Sequence, residues 1–318
     1  MQNNLSNSRA FSEAKLKELQ KEVLTSFDKN DFSESFLNDI CVYACGSLAR
    51  HELVENSDLD LFFIYKGKSP IKNVDKYRFF SKLYDISIKC GFGKPSKGGG
   101  FWEFISKCDL LDIGSRKEDY NNGLTARLLL ILESKPIYNK RLYNKIVEET
   151  VNLYFKDHKK HPVGFLPMYL INDILRYWYT LTLNYEFRRD ENDNNQDKHW
   201  KRLKLKYPRL LTCYSTIACL FKNDIAPNNV IEVINKTPLE RLEYVLSITD
   251  EVSNIISNIK EEYNWMLSLK KFDSTWWNDE SNKDAACKKA EFFHDLIVHQ
   301  LIDIMSEYNC ELKKKLDF

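Results

Sequence analysis

The stretch Cys41–Tyr65, CVYACGSLARHELVENSDLDLFFIY, restricts the folds open to this chain more than any other segment. It starts as a mostly apolar run, is broken by Gly46-Ser47, and takes up a short helical pattern after the break. The chain there reads as strand, turn, helix. Further on, Asp58-Leu59-Asp60-Leu61 alternates acidic and apolar residues before becoming wholly apolar through Phe62–Tyr65. That is the pattern of a strand buried beyond its first residues. Because the side-chain period of a strand is two, Asp58 and Asp60 share one face at its start.

These residue types at this spacing point to phosphoryl-transfer chemistry. Carboxylates at i and i+2 on one strand can hold a pair of divalent ions roughly 3.5–4 Å apart, one activating an attacking oxygen and one neutralising a leaving group. The glycine of a Gly-Ser turn lets backbone approach a phosphate closely, and the helix start that follows offers N–H donors. Ser47 adds a hydroxyl donor. Arg50 lies about one turn further on, in reach of a triphosphate oxygen, while His51 and Glu52 are expected to face solvent. A lone DxD or a lone Gly-Ser is common and carries little weight; the pair, each at one end of a strand, carries much more.

The remaining chain divides into two characters. Helical spacing of Leu16, Leu19, Val23 and Leu24 predicts a lead helix over 12–27 with Ser12 as its cap, and Lys76–Phe92 reads as another with Phe79, Phe80, Leu83, Ile86 and Cys90 inward. GKPSKGGG is expected to be a mobile loop, and Phe101–Ile105 a short strand with Glu103 opposite Trp102 and Phe104. From Asp119 the pattern is almost wholly helical, with helices near 123–134, 139–156, 166–190, 198–222, 229–235, 238–268 and 284–314, and a polar loop at 190–197. With 318 residues, two domains are expected: residues 1–135, an α+β unit built on a small mixed sheet with its N-terminal helix, and residues 136–318, an all-α bundle closing the cleft. Lys135-Pro136 marks the change.

A net charge of +1 provides no global field for nucleic acid. The eight cysteines form neither a CxxC pair nor a zinc-spaced array and read as reduced, mostly buried thiols. The amino terminus lacks a signal-like apolar core, and no stretch approaches the roughly 18 apolar residues of a membrane span, so a cytoplasmic protein without membrane partners is expected.

The residues Gly46, Ser47, Arg50, Glu52, Ser57, Asp58, Asp60 and Leu61 match the pattern GSxxRxE followed by SDxDL. This resembles the nucleotidyltransferase signature of the DNA polymerase beta superfamily, in its PII-uridylyltransferase-like branch, with Ala49 standing where a glycine is usual. EDYNNGLTARLLLILESKPIYN and INDILRYWYTLTLNY are similar to the helical part of such proteins, so the resemblance covers roughly residues 35–220. It implies magnesium (or manganese) held by Asp58 and Asp60, a nucleoside triphosphate such as ATP gripped by Gly46, Ser47 and Arg50, and transfer of a nucleoside monophosphate to a hydroxyl on a protein or an RNA end, with release of pyrophosphate. It also implies a third catalytic carboxylate, for which Glu103 is the first candidate and Asp85 and Asp109 are alternatives. A second reading is a nucleotide- or partner-binding module of this fold without turnover. A third, compatible with either, makes residues 225–318 a partner surface with exposed aromatics rather than a core.

Lys198, Lys201 and Arg202, in the basic run KHWKRLKLK, are candidates to hold phosphate; the alternative is a solvated helix face. Arg127 is a lone charge in an apolar helix and must either reach outward or meet an acidic partner. Asp173 and Arg176, at i and i+3, read as a surface pair. The aromatics Tyr263, Trp265, Phe272, Trp276 and Trp277 read first as core. Nucleotide preference and oligomeric state are not encoded in any pattern found.

Overall fold

The computed structural model describes residues 4–27, 31–55, 57–67, 69–93, 95, 102–114, 122–187, 195–221, 225–245, 250–272 and 274–307. The chain forms two compact units, Leu5–Leu153 and Tyr154–Phe318, the latter with Met1–Asn4. The class is α+β: a small four-stranded mixed sheet in a mostly helical chain.

In the first unit the elements run α1 (Asn4–Ser26), α2 (Glu34–Asp39), β1 (Ile40–Ala44), α3 (Gly46–Ala49), β2 (Leu61–Tyr65), α4 (Asn73–Lys89), β3 (Phe104–Ser106), α5 (Lys107–Leu111), α6 (Gly123–Leu132), β4 (Lys135–Tyr138) and α7 (Lys140–Tyr154). The sheet order is β3-β2-β1-β4, with β1 antiparallel to both β2 and β4, and β3 parallel to β2. Register pairs Val42 with Phe63 and Tyr43 with Phe62, so the alternation read from sequence sends Ile40, Val42, Ala44, Leu61 and Phe63 to one face. There they meet Leu19 and Val23 of α1 and Phe79, Leu83 and Ile86 of α4. Phe79 is fully buried, 4.7 Å from the ring of Phe27 and 5.4 Å from that of Phe104. Its truncation to alanine should cost about 3–5 kcal/mol. The opposite face carries the stacked pair Tyr43 and Phe62, and the Tyr43 hydroxyl donates to the Ala126 carbonyl of α6.

Three local expectations are corrected. Ser12 lies inside α1 rather than capping it: fully buried, its hydroxyl donates to Ser8 O and accepts from Leu53 N, tying the helix to the loop beyond α3. The strand expected over 101–105 is shifted, with β3 at Phe104–Ser106. Of the two expectations for Arg127, reaching outward is excluded: it is fully buried and donates to the Leu110 carbonyl at the end of α5. Cationic donors at a helix C-terminus satisfy carbonyls that have no intrahelical partner. Residues 135–153 belong to the first unit, since β4 completes the sheet. The glycine run at 98–100 lies outside the described residues, as do 190–194.

The second unit consists of α8 (Met168–Phe187), α9 (Asn195–Lys204), α10 (Leu210–Leu220), α11 (Pro227–Asn235), α12 (Pro238–Val245), α13 (Asp250–Ser268), α14 (Ser274–Asn278), α15 (Glu280–Asp295) and α16 (Ile302–Glu307). A π-turn at Leu205–Arg209 joins α9 to α10 and holds Pro208, whose missing N–H would break a regular α ladder. A second π-turn, Leu296–Leu301, joins α15 to α16. The aromatics are core in part: Tyr207 stacks on Phe293 at 4.2 Å, and Tyr263 and Trp277 are buried, whereas Trp265 and Trp276 are half-buried and Phe272 is exposed. Arg241, 1% exposed, donates to the carbonyls of Val233 and Ile234 at the end of α11 and to Thr216. Asp173 is buried, not on the surface, and accepts from the Tyr154 hydroxyl at 2.7 Å. None of the described helices is long and apolar enough to cross a membrane.

Candidate functional site

The site is built where β1 ends and β2 begins, because the antiparallel register brings those two ends side by side. Ala44 pairs with Leu61, and one step beyond, the Cys45 amide donates to the Asp60 carbonyl at 2.9 Å. Leu59 is buried while Asp58 and Asp60 on either side of it are exposed, so both carboxylates stand on the sheet face away from α1 and α4. The entry to this segment is fixed by Ser57: its hydroxyl accepts from Val54 N, and its carbonyl accepts from Gly93 N at 3.1 Å.

Gly46 has φ +67°, and a Cβ placed on it would lie 2.7 Å from Asp60 Oδ2. Both the backbone conformation and the space therefore require glycine. Cys45 precedes the first turn of α3, with Ser47 half-buried in it. The amides at the start of that turn have no intrahelical acceptor. Ala49 is buried in helical conformation; the left-handed residue after α3 is His51, with φ 61°.

A buried ion cluster supports the turn from below. The Arg50 guanidinium donates to Glu52 at 3.0 Å and to Glu133, with the three side chains 10%, 5% and 9% exposed. Glu52, expected at the surface, is thus interior: it charge-balances a cation that the fold buries. Glu133 ends α6, two residues before β4, and enters the site because β4 pairs with β1. Cys45 sits among these charges; burial pushes its thiol well above the ordinary range, with Glu133 and Asp60 adding to the rise and Arg50 opposing it. No sequence pattern marked Glu133; its only signal was an acidic residue closing an otherwise apolar helix.

The third-carboxylate candidates are placed as follows. Continuing the parallel register Phe63↔Phe104 back by one step sets exposed Glu103 level with Phe62, on the face of Asp60. Asp85 is exposed on α4, which covers the other face, and Asp109 lies in α5. Among the described residues, no group of three or more metal-ligating side chains is gathered. A cavity of about 280 Å³ lined by Phe11, Lys15, Leu53, Val54 and Phe92 opens beside Ser57. Lys198, Lys201 and Arg202 belong to the second unit, on α9. Lys201 is exposed, whereas Arg202 is half-buried and meets Cys287 and Glu291.

The fold and site define a class: an α+β unit in which a glycine turn is packed against the acidic entry of the neighbouring strand. No protein-family model matches the chain, and none of the curated proteins compared with it is a significant match.

Proposed function

We propose that the first unit is a metal-dependent nucleotidyltransferase, moving a nucleoside monophosphate from a nucleoside triphosphate to a hydroxyl on a protein side chain or an RNA end. The observation that carries this reading is the close approach of Gly46 to Asp60: a glycine-only turn beside two exposed carboxylates on one strand face. That pairs a phosphate-sized opening in the backbone with ligands for a divalent ion.

Asp58 and Asp60 are the residues that would hold magnesium, whose role when bound is to neutralise charge on the phosphates. The chain's own part is positioning. Gly46 would give the β- and γ-phosphates room against the backbone, the Ser47 hydroxyl and the first amides of α3 would donate to their oxygens, and Glu103 is the carboxylate proposed to accept the proton of the attacking hydroxyl. The acceptor oxygen forms a bond to the α-phosphorus as the bond to the bridging oxygen breaks, and pyrophosphate leaves. Arg50 acts in this scheme through the Gly46 turn, since its guanidinium is committed to Glu52 and Glu133.

That commitment also favours a second reading, a nucleotide-binding module without turnover, because it leaves fewer cations facing the phosphates. The discriminating experiment incubates the protein with each α-labelled nucleoside triphosphate, magnesium and cell extract. Label moving to protein or RNA with wild type, and not with Asp58→Asn/Asp60→Asn, is the expected result. Calorimetric binding without transfer supports the module, and neither binding nor transfer removes both.

A further inference from the structure

The second unit holds a cluster of basic side chains at the place where its two π-turns meet the helices beside them. Lys206 lies in the turn Leu205–Arg209, Arg202 one helical turn earlier, His294 in the last turn of α15 and His299 in the turn Leu296–Leu301. The two imidazole rings are 5.9 Å apart. Lys206 and His294 are half-buried, and the Lys206 charge opposes protonation of His294. Among the described residues, neither Lys206 nor either histidine makes a hydrogen bond or an ion pair. The neighbouring carboxylates are already engaged, Glu291 by Arg202 at 3.4 Å and Asp295 by the Gln300 amide at 2.8 Å.

Half-buried polar donors left without acceptors work against folding, and π-turns, which insert an extra residue and re-aim side chains, recur at functional sites. Both features occur here in two segments separated by about ninety residues of chain. We infer that Lys206, His294 and His299, with Arg202 at the rim, form a binding site for a compact oligophosphate. An ammonium and two imidazole rings offer N–H donors of the kind that suit the clustered oxygens of a di- or triphosphate. The flanking Glu291 and Asp295 oppose a long polyanion running across the same surface. Burial and the neighbouring Lys206 hold His294 below the ordinary histidine range. Anion binding therefore draws a proton onto the site, and affinity rises as the pH falls. The site is independent of Asp58 and Asp60, and its fate does not decide theirs.

The test uses the full chain with inorganic pyrophosphate in buffer containing a metal chelator, read by calorimetry and by the C2–H proton signals of the histidines. Pyrophosphate is expected to shift the two signals lost in His294→Gln and His299→Gln. Lys206→Met should weaken the binding that moves these two signals about tenfold or more. Unmoved histidine signals, or a folded Lys206→Met that binds as wild type, would overturn the site. A 12-nucleotide RNA that displaces pyrophosphate and binds at least a hundredfold tighter would overturn the oligophosphate assignment.

Discussion

Replacing Gly46 by alanine imposes two separable costs. The left-handed conformation, φ +67°, costs a residue with a Cβ about 1–2 kcal/mol. The new methyl would also lie 2.7 Å from Asp60 Oδ2, so the carboxylate must leave its rotamer, adding about 0.5–1.5 kcal/mol. The total of about 1.5–3.5 kcal/mol should lower the melting temperature of the first unit by about 3–14 °C. Gly91→Ala supplies the baseline within the same unit: φ is +77°, but the nearest atom to its Cβ, Lys15 Nζ, is at an ordinary 3.5 Å. Gly46→Ala should therefore be the more destabilising by about 1 kcal/mol, and Asp60→Ala in the same chain should recover that difference. Displacing Asp60 should also reduce nucleotidyl transfer about a hundredfold or more. Thermal melts of Gly46→Ala, Gly91→Ala, Asp60→Ala and the Gly46→Ala/Asp60→Ala pair, with a transfer assay, are sufficient. Equal losses from Gly46→Ala and Gly91→Ala, with no coupling to Asp60, would refute the close approach on which the functional reading rests.

Arg50→Met leaves Glu52 and Glu133 buried without their cation and should cost about 3–5 kcal/mol in urea unfolding; a loss below about 1 kcal/mol would return Arg50 to a phosphate-facing role. In a Cys310→Ser background, a maleimide should modify exposed Cys108 in the native protein, while buried Cys41, Cys45, Cys213 and Cys219 react only after unfolding. Native labelling of Cys45 would contradict the burial that holds its thiol protonated. Burial lowers the pKa of both His199 and His294, reinforced by Lys283 and Arg202 around the first and by Lys206 and His299 around the second, with Glu280 and Asp295 opposing. The unfolded chain then takes up these protons first, so the stability of the second unit is full above pH 6.5 and declines below it. Five of the six tryptophans lie in that unit, so fluorescence melts from pH 7.5 to 5.5 report on it. His199→Gln/His294→Gln should flatten the decline, and an unchanged slope would dismiss the assignment.

The strands β1 and β2 were legible, though not their pairing, because the pattern there is local: Leu59 is buried between two exposed aspartates, as a period of two requires. Helix positions from 123 onward were legible for the same reason, at a period of 3.6. The support of the site was not. Glu133 reaches Arg50 across 83 residues, through the pairing of β4 with β1, and no spacing rule connects them. Arg127 and Arg241 were opaque because their partners are helix-end carbonyls, which every residue has. The expected single helix over 198–222 is interrupted at Pro208, where a wider turn absorbs the missing donor.

The outer strands of the sheet bear on the behaviour of the chain before it is folded. One edge, β3, is only three residues long; the other, β4, opens with Lys135-Pro136 and is out of step with β1 at Val42/Tyr43. A proline offers no amide to an incoming strand, and a lysine at an edge keeps a charge where a neighbouring chain would have to dock. The apolar run Leu61–Tyr65, of a composition that readily pairs between chains, lies between β1 and β3. Protection from intermolecular strand pairing is thus written into the two borders, and crowded refolding should yield monomeric sheet rather than strand-exchanged assemblies.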